Sequence, residues 1–206
     1  MIYVDLDNTL IDSVYRLELD TDIAVAYGLT TNEFSAAIDK AVQKHGIHGF
    51  GPDALFEACR QIKPDFSELV LKNWWMILKH KFLFPDTMTF LGCFCRRELS
   101  LITTGNKKFQ LAKIEAHNFR EYLSEIMILG SPKSNGLYSP QVNSFFIDDS
   151  PREIDAMKEK FPDMCCIQVR EPAPWEKQKI SRHADFRCAD LLEAIRHIKP
   201  REVGSR

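Results

Sequence analysis

Short, nearly unbroken apolar runs alternate along this chain with longer stretches whose apolar residues return every three or four positions. The runs are 2–7 (IYVDLD), 99–106 (LSLITTGN), 125–131 (EIMILGS), 144–150 (SFFIDDS), 165–171 (CCIQVRE) and a weaker one at 184–190 (ADFRCAD). Each stays apolar almost to its end and closes on small or polar residues. Strands buried on both faces of a parallel sheet read this way, whereas a strand with one wet face alternates. Helical spacing fills most of the intervals, at 86–99 (DTMTFLGCFCRREL), 107–119 (KKFQLAKIEAHNF), 151–161 (PREIDAMKEKF) and 190–198 (DLLEAIRHI). Pro151 suits a first helical turn. The alternation predicts an α/β protein with a doubly wound parallel sheet.

Residues 13–85 break the rhythm. They contain no buried strand pattern but several helical ones. Thr30 stands three residues before Glu33, the spacing of a capping box, and Gly46 is placed to end the helix that follows. A second helix is predicted at 51–62 with Pro52 near its start. A third is predicted within 65–82, with apolar residues at 66, 69, 70, 74, 77 and 78. This segment reads as a helical domain inserted after the first strand, leaving 1–12 and 86–206 as the α/β core and 13–85 as a cap. Trp74 and Trp75 are expected in the core of the insert, and the tail 199–206 is expected to fray.

Composition changes this picture little. A formal net charge of -2 gives no electrostatic footprint for nucleic acid or an anionic membrane. No apolar run approaches the roughly 20 residues that span a bilayer. The N-terminus enters a strand without a basic leader, so the expectation is a cytoplasmic protein with neither nucleic-acid nor membrane partners. The six cysteines form no C-x-x-C pair and read as reduced thiols. His45 and His48 have no acidic or thiol partner at metal-ligand spacing.

The chemistry gathers at the ends of the apolar runs. The first delivers Asp5 and Asp7, the second Thr103 and Thr104, the fourth Asp148 and Asp149, and a short connection adds Lys133. In an open parallel sheet these ends converge on the edge where ligands bind. Carboxylates crowded around one point raise each other's pKa and call for a cation. A donor set of oxygens without histidine or thiolate favours a hard ion, and Mg²⁺ is the natural choice. Such an ion takes an anionic substrate oxygen as a further ligand, which points to phosphate.

The stretches 5–10 (DLDNTL), 101–106 (LITTGN) and 145–150 (FFIDDS) resemble the first, second and fourth motifs of the haloacid dehalogenase superfamily. The resemblance extends over essentially the whole chain, including a helical cap after the first motif. It implies that Asp5 is a nucleophile forming an aspartyl-phosphate and that Asp7 is the acid and base, its backbone carbonyl also a Mg²⁺ ligand. Thr103 would bind the transferring phosphoryl group, with Thr104 as the substitute one residue on and Gly105 and Asn106 beside it on the substrate side. Asp5, Asp148 and Asp149 would hold Mg²⁺, with Glu153 orienting them. Lys133 would neutralise Asp5 and the phosphoryl group. The connection 131–143 is shorter than the family's usual helix there, so Lys107, Lys108 and Lys113 stand as substitutes for Lys133. Dehalogenases of the family lack an aspartate at the second position, because a halide leaving group needs no proton; Asp7 therefore argues for phosphoryl transfer.

A cap over the site implies a small soluble phosphate ester, such as a sugar phosphate, nucleoside monophosphate or phosphoglycolate. Arg16 is expected to meet an anionic group of that substrate. The expected activity is a Mg²⁺-dependent phosphatase of small phosphorylated metabolites. A phosphomutase with the same nucleophile and a catalytically idle binding module are the alternatives. The sequence leaves the oligomeric state open.

Overall fold

The computed structural model describes residues 1–80, 82–129 and 132–199. The end of the third apolar run (130 and 131) and all but the first residue of the predicted frayed tail lie outside them. The described chain divides into two compact units. The first comprises residues 1–12, 83–103 and 119–206, and the second 13–82 and 104–118. The first crossing falls at 12/13, where the insert was expected to begin. The return comes at 82/83, and 104–118 groups with the inserted helices, although its sequence pattern had placed it in the α/β core.

The first unit is built on a six-stranded sheet. Its strands are β1 (Ile2–Val4), β2 (Leu99–Thr104), β3 (Glu125–Leu129), β4 (Phe145–Asp148), β5 (Cys165–Val169) and β6 (Phe186–Cys188), all but the last residue of β2 falling in this unit. Their spatial order is β3-β2-β1-β4-β5-β6, with β1 parallel to both β2 and β4, β4 to β5, and β5 to β6. The chain winds outward from β1 on one side and then on the other, so the order reverses between β1 and β4. Parallel strands need crossovers, and the buried, β-branched and aromatic runs found in the sequence are what such central strands require.

Register explains the core. Tyr3 pairs with Phe146, and Phe146 with Cys166, so the three stand in one row. With Ile102 they pack against Ile154 and Met157 of helix α7 (Pro151–Lys160). Phe146 is fully buried. Phe146→Ala is expected to cost about 3–5 kcal/mol, read as a shift of the urea midpoint at constant slope. Helix α5 (Thr87–Gly92) covers only the first half of the stretch predicted as helix at 86–99; Gly92 and a short 3-10 turn at Arg96–Glu98 end it early.

In the second unit lie α1 (Ser13–Ala26), α2 (Thr31–Gly49), α3 (Pro52–Ile62), α4 (Glu68–Ile77) and α6 (Lys107–Ala116). The capping box is present: Thr30 Oγ1 accepts from Glu33 N at 3.2 Å, and Glu33 Oε2 accepts from Thr30 N at 2.8 Å. Thr30→Ala should lower stability by about 1 kcal/mol in a thermal melt. Gly46 interrupts α2 with φ 67, a left-handed conformation open to glycine. Phe66, Val70, Trp74 and Leu78 are buried at four-residue spacing, whereas Leu69 is exposed. Trp74 sits among Phe34 and Phe66 and donates its Nε1–H to Asp20 O at 3.1 Å. Trp75 is not in this core. One residue turns the helix by about 100°, and Trp75 lies half-buried with its Nε1–H on Asp53, its ring edge-on to Phe109 and Lys108 over its face.

Candidate active site

Every residue of the acidic centre belongs to the first unit. Asp5 follows β1 and continues the ladder, its N–H bonding Ile147 O at 3.0 Å. Asp148 ends β4, and Asp149 follows it. The strand order reverses between β1 and β4, and both carboxylates stand at the carboxyl ends of these strands, where open α/β sheets bind ligands. Ser150, which caps α7, donates its backbone N–H to Asp148 Oδ1 at 2.8 Å. The Ala173 N–H bonds the Asp149 carboxylate, and the Leu6 N–H that of Asp5.

Lys133 reaches this centre from a 3-10 turn at Lys133–Gly136. Its Nζ lies 2.6 Å from Asp5 Oδ1 and 2.6 Å from Asp148 Oδ2, with all three side chains at most 5% exposed. Glu153, in the first turn of α7, accepts from the Lys133 backbone N–H at 2.7 Å and so fixes the turn that aims the side chain. The other lysines weighed for this role lie in the second unit. Lys108 pairs with Asp53, and Lys113 stands 4.2 Å over the Phe109 ring. Lys107 is exposed.

Electrostatically the centre holds too much negative charge. Burial pushes the Asp5 pKa up; Lys133 pulls it back and Asp7 raises it again. Asp148 is driven well above the usual carboxylate range by burial, against Lys133 and with help from Asp5, Asp149 and Glu153. Asp149 is pushed up to about 8, by burial first and then by Asp5. Burial disfavours the charge of Lys133, but Asp148 and Asp5, then Glu153, outweigh it and hold its pKa above the ordinary value. One ammonium cannot neutralise three carboxylates.

Those three fit a cation. Asp5, Asp148 and Asp149 each offer an oxygen, and these lie within 4.8 Å of one another. The set is all carboxylate, and with Lys133 it leaves a charge that a divalent ion balances. Hard oxygen donors of this kind suit a hard divalent cation.

The other residues singled out in the sequence divide between the units. Thr103 is buried at the carboxyl end of β2, beside β1, and Asp7 is half-buried two residues past Asp5 and close enough to raise its pKa. Thr104, Gly105, Asn106 and Arg16 belong to the second unit. There Thr104 O accepts from Gln110 Nε2 at 2.6 Å, Gly105 has φ 131, and Asn106 Oδ1 caps α6 through Phe109 N at 3.1 Å. Arg16 is buried against Asp20, its guanidinium 4.9 Å from the centre of the Phe109 ring. Burial raises Asp20 to about 6 despite Arg16. Sequence reasoning missed Ala173, whose contribution is a backbone N–H in a loop and leaves no side-chain signature.

Comparison with solved structures places the fold. The chain resembles a haloacid dehalogenase-like hydrolase from Burkholderia xenovorans over 94% of both chains, with a TM-score of 0.73 and 19% identity. An L-2-haloacid dehalogenase from Xanthobacter autotrophicus matches 97% of this chain and 98% of its own, with TM-score 0.66 and 11% identity. The HAD-hydrolase YfnB from Bacillus subtilis, bound to magnesium, matches over 96% of both chains with TM-score 0.64 and 13% identity. The fold is that of the haloacid dehalogenase-like hydrolases. No protein-family model and no curated protein matches the sequence. Among the described residues, no helix is long and apolar enough to cross a membrane.

Proposed function

We propose that the protein is a Mg²⁺-dependent phosphatase of the haloacid dehalogenase superfamily, hydrolysing small phosphorylated metabolites through an aspartyl-phosphate on Asp5. The observation that carries this reading is the buried cluster in which Lys133 Nζ lies 2.6 Å from both Asp5 and Asp148 while Asp149 completes a cation-sized set of oxygens. Phosphoryl transfer depends on charge neutralisation and positioning, and this cluster offers both.

In the first step an Asp5 carboxylate oxygen attacks phosphorus, and the bond from phosphorus to the ester oxygen breaks. Asp7 gives its proton to the departing alkoxide. Asp7 then takes a proton from water, whose oxygen attacks phosphorus, and Asp5 is released with inorganic phosphate. Lys133 stabilises charge on Asp5 and on the transferring group, and the Thr103 hydroxyl hydrogen-bonds that group. Asp5, Asp148 and Asp149 would hold Mg²⁺, which would supply the positive charge an anionic ester needs to approach an anionic nucleophile. Asp7 separates this reading from dehalogenation, since a halide leaves without a proton.

The test is release of phosphate from p-nitrophenyl phosphate with Mg²⁺ and with EDTA, followed by a screen of sugar phosphates, nucleoside monophosphates and phosphoglycolate. Turnover that requires the metal supports the reading. An isomerised sugar phosphate without free phosphate would replace it with a mutase. A protein that neither turns over any of these esters nor binds Mg²⁺ would return it to the class of binding modules.

A further inference from the structure

We propose that Arg170 is a positioning residue that locks the loop carrying Asp7, acting through the Thr9 carbonyl. Every residue involved belongs to the first unit. Arg170 follows β5 with φ 61, a left-handed conformation that an arginine adopts only against a steric cost. Its backbone N–H still bonds Cys188 O at 2.9 Å, so the ladder to β6 continues through it. From there the guanidinium lies 3.7 Å over the Phe84 ring. Its Nη2 donates to Asp86 Oδ1 at 2.5 Å and its Nε to Thr9 O at 3.2 Å. The other Asp86 oxygen accepts from Leu191 N, the first residue of helix α8 (Leu191–Ile198), at 2.7 Å. The arginine and aspartate side chains are 12% and 7% exposed.

What this group holds is two chain segments already stitched to each other. One is the loop after Asp5, folded on itself by bonds from Leu10 N and Ile11 N to Leu6 O and from Asn8 N to Ile11 O, with Asn8 at φ 57. The other is 83–87, where the chain re-enters this unit. Leu10 O accepts from Phe84 N at 3.3 Å and from Thr87 Oγ1 at 2.8 Å, and Ile11 bridges Leu83. Arg170 touches the loop, the re-entry segment and, through Asp86, the start of α8. A buried ion pair is weak evidence for stability and better evidence for fixing one arrangement. Here the arrangement sets where the chain lies two residues beyond Asp7. A planar fork that reaches a carbonyl and a carboxylate at once, while stacking on a ring, is a task lysine does not reproduce.

The inference rests on the phosphatase reading only for what Asp7 does; the lock itself is tested without substrate. Backbone amide exchange would be compared in the wild type, Arg170→Ala, Arg170→Lys and the control Arg152→Ala, which removes an exposed pair with Glu176. The amides of Leu10, Ile11, Phe84 and Thr87 should exchange at least about tenfold faster in Arg170→Ala, with those of β2 and β4 unchanged and the control silent. Arg170→Lys should fall short of rescue, and it takes the place of the alanine variant if that one does not fold. Unchanged exchange at those four amides, or equal acceleration throughout the sheet, overturns the proposal. With an active wild type, kcat should fall about tenfold while KM stays within about twofold. Faster exchange with unchanged kcat would overturn the link to Asp7, whereas a wild type without turnover overturns the phosphatase reading and leaves the exchange to decide the lock.

Discussion

Asp5→Asn is expected to lower phosphate release from p-nitrophenyl phosphate by on the order of 10³-fold or more while leaving the fold intact. The amide keeps the shape of the carboxylate but cannot form the covalent phosphoester. Structural damage is not the expected cause of the loss. In the metal-free protein the change removes one of three crowded, buried carboxylates, and Lys133 keeps its bond to Asp148 at 2.6 Å. Thermal melts in EDTA should therefore place Asp5→Asn at or above the wild type. Activity that survives in the variant above about 1% of wild type, after contaminating phosphatases are removed, would rule out Asp5 as nucleophile.

The second large effect is a pH dependence that Mg²⁺ should abolish. Asp149 rises from an ordinary 3.8 to about 8 in the folded protein, and Asp5 and Asp148 also rise. Between these limits the folded state holds protons that the unfolded chain has released. Stability therefore falls as pH rises across that window, the reverse of an ordinary salt-bridged carboxylate. The three carboxylates titrate together, so the decline belongs to the cluster as a whole. Urea unfolding in EDTA should show that decline. Mg²⁺, which competes with the protons for the same oxygens, should restore stability most at the alkaline end. A metal-free protein equally stable at pH 5 and pH 8 would contradict this picture of the cluster.

Much of this centre was legible because its residues sit at the ends of strands. Buried parallel strands are written as apolar runs, and the first polar residue after each run marks the edge of the sheet; Asp5, Asp148 and Asp149 all announce themselves this way. Lys133 was harder. Its connection lacks the expected helix, and only the structure shows a single 3-10 turn, held by Glu153, presenting the side chain. Helix α1 left a weak trace because it buries Arg16 and Asp20, which blurs its apolar stripe. The grouping of 104–118 with the inserted helices was not legible at all. The pattern of α6 shows that Phe109 and Ile114 seek burial but not which surface buries them. The Arg170–Asp86 pair was invisible for a related reason: its members lie far apart in the chain, and no periodicity links them.

Placing β1 at the middle of the sheet has a consequence for biosynthesis. The strand that precedes Asp5 leaves the ribosome before the other five strands of its sheet, and its neighbours begin only at Leu99 and Phe145. At synthesis rates of about 5–20 residues per second, it must wait on the order of ten seconds for its second partner to be made. Local helices can form in that interval, but closure of the sheet around β1 depends on contacts of high sequence separation, which are slow to form. The nascent chain therefore carries β1 without a partner until at least residue 99 has been made. Asp5 and Asp148 meet only once the chain through Asp148 has been made, so the appearance of the carboxylate cluster doubles as a report that β1 and β4 have paired.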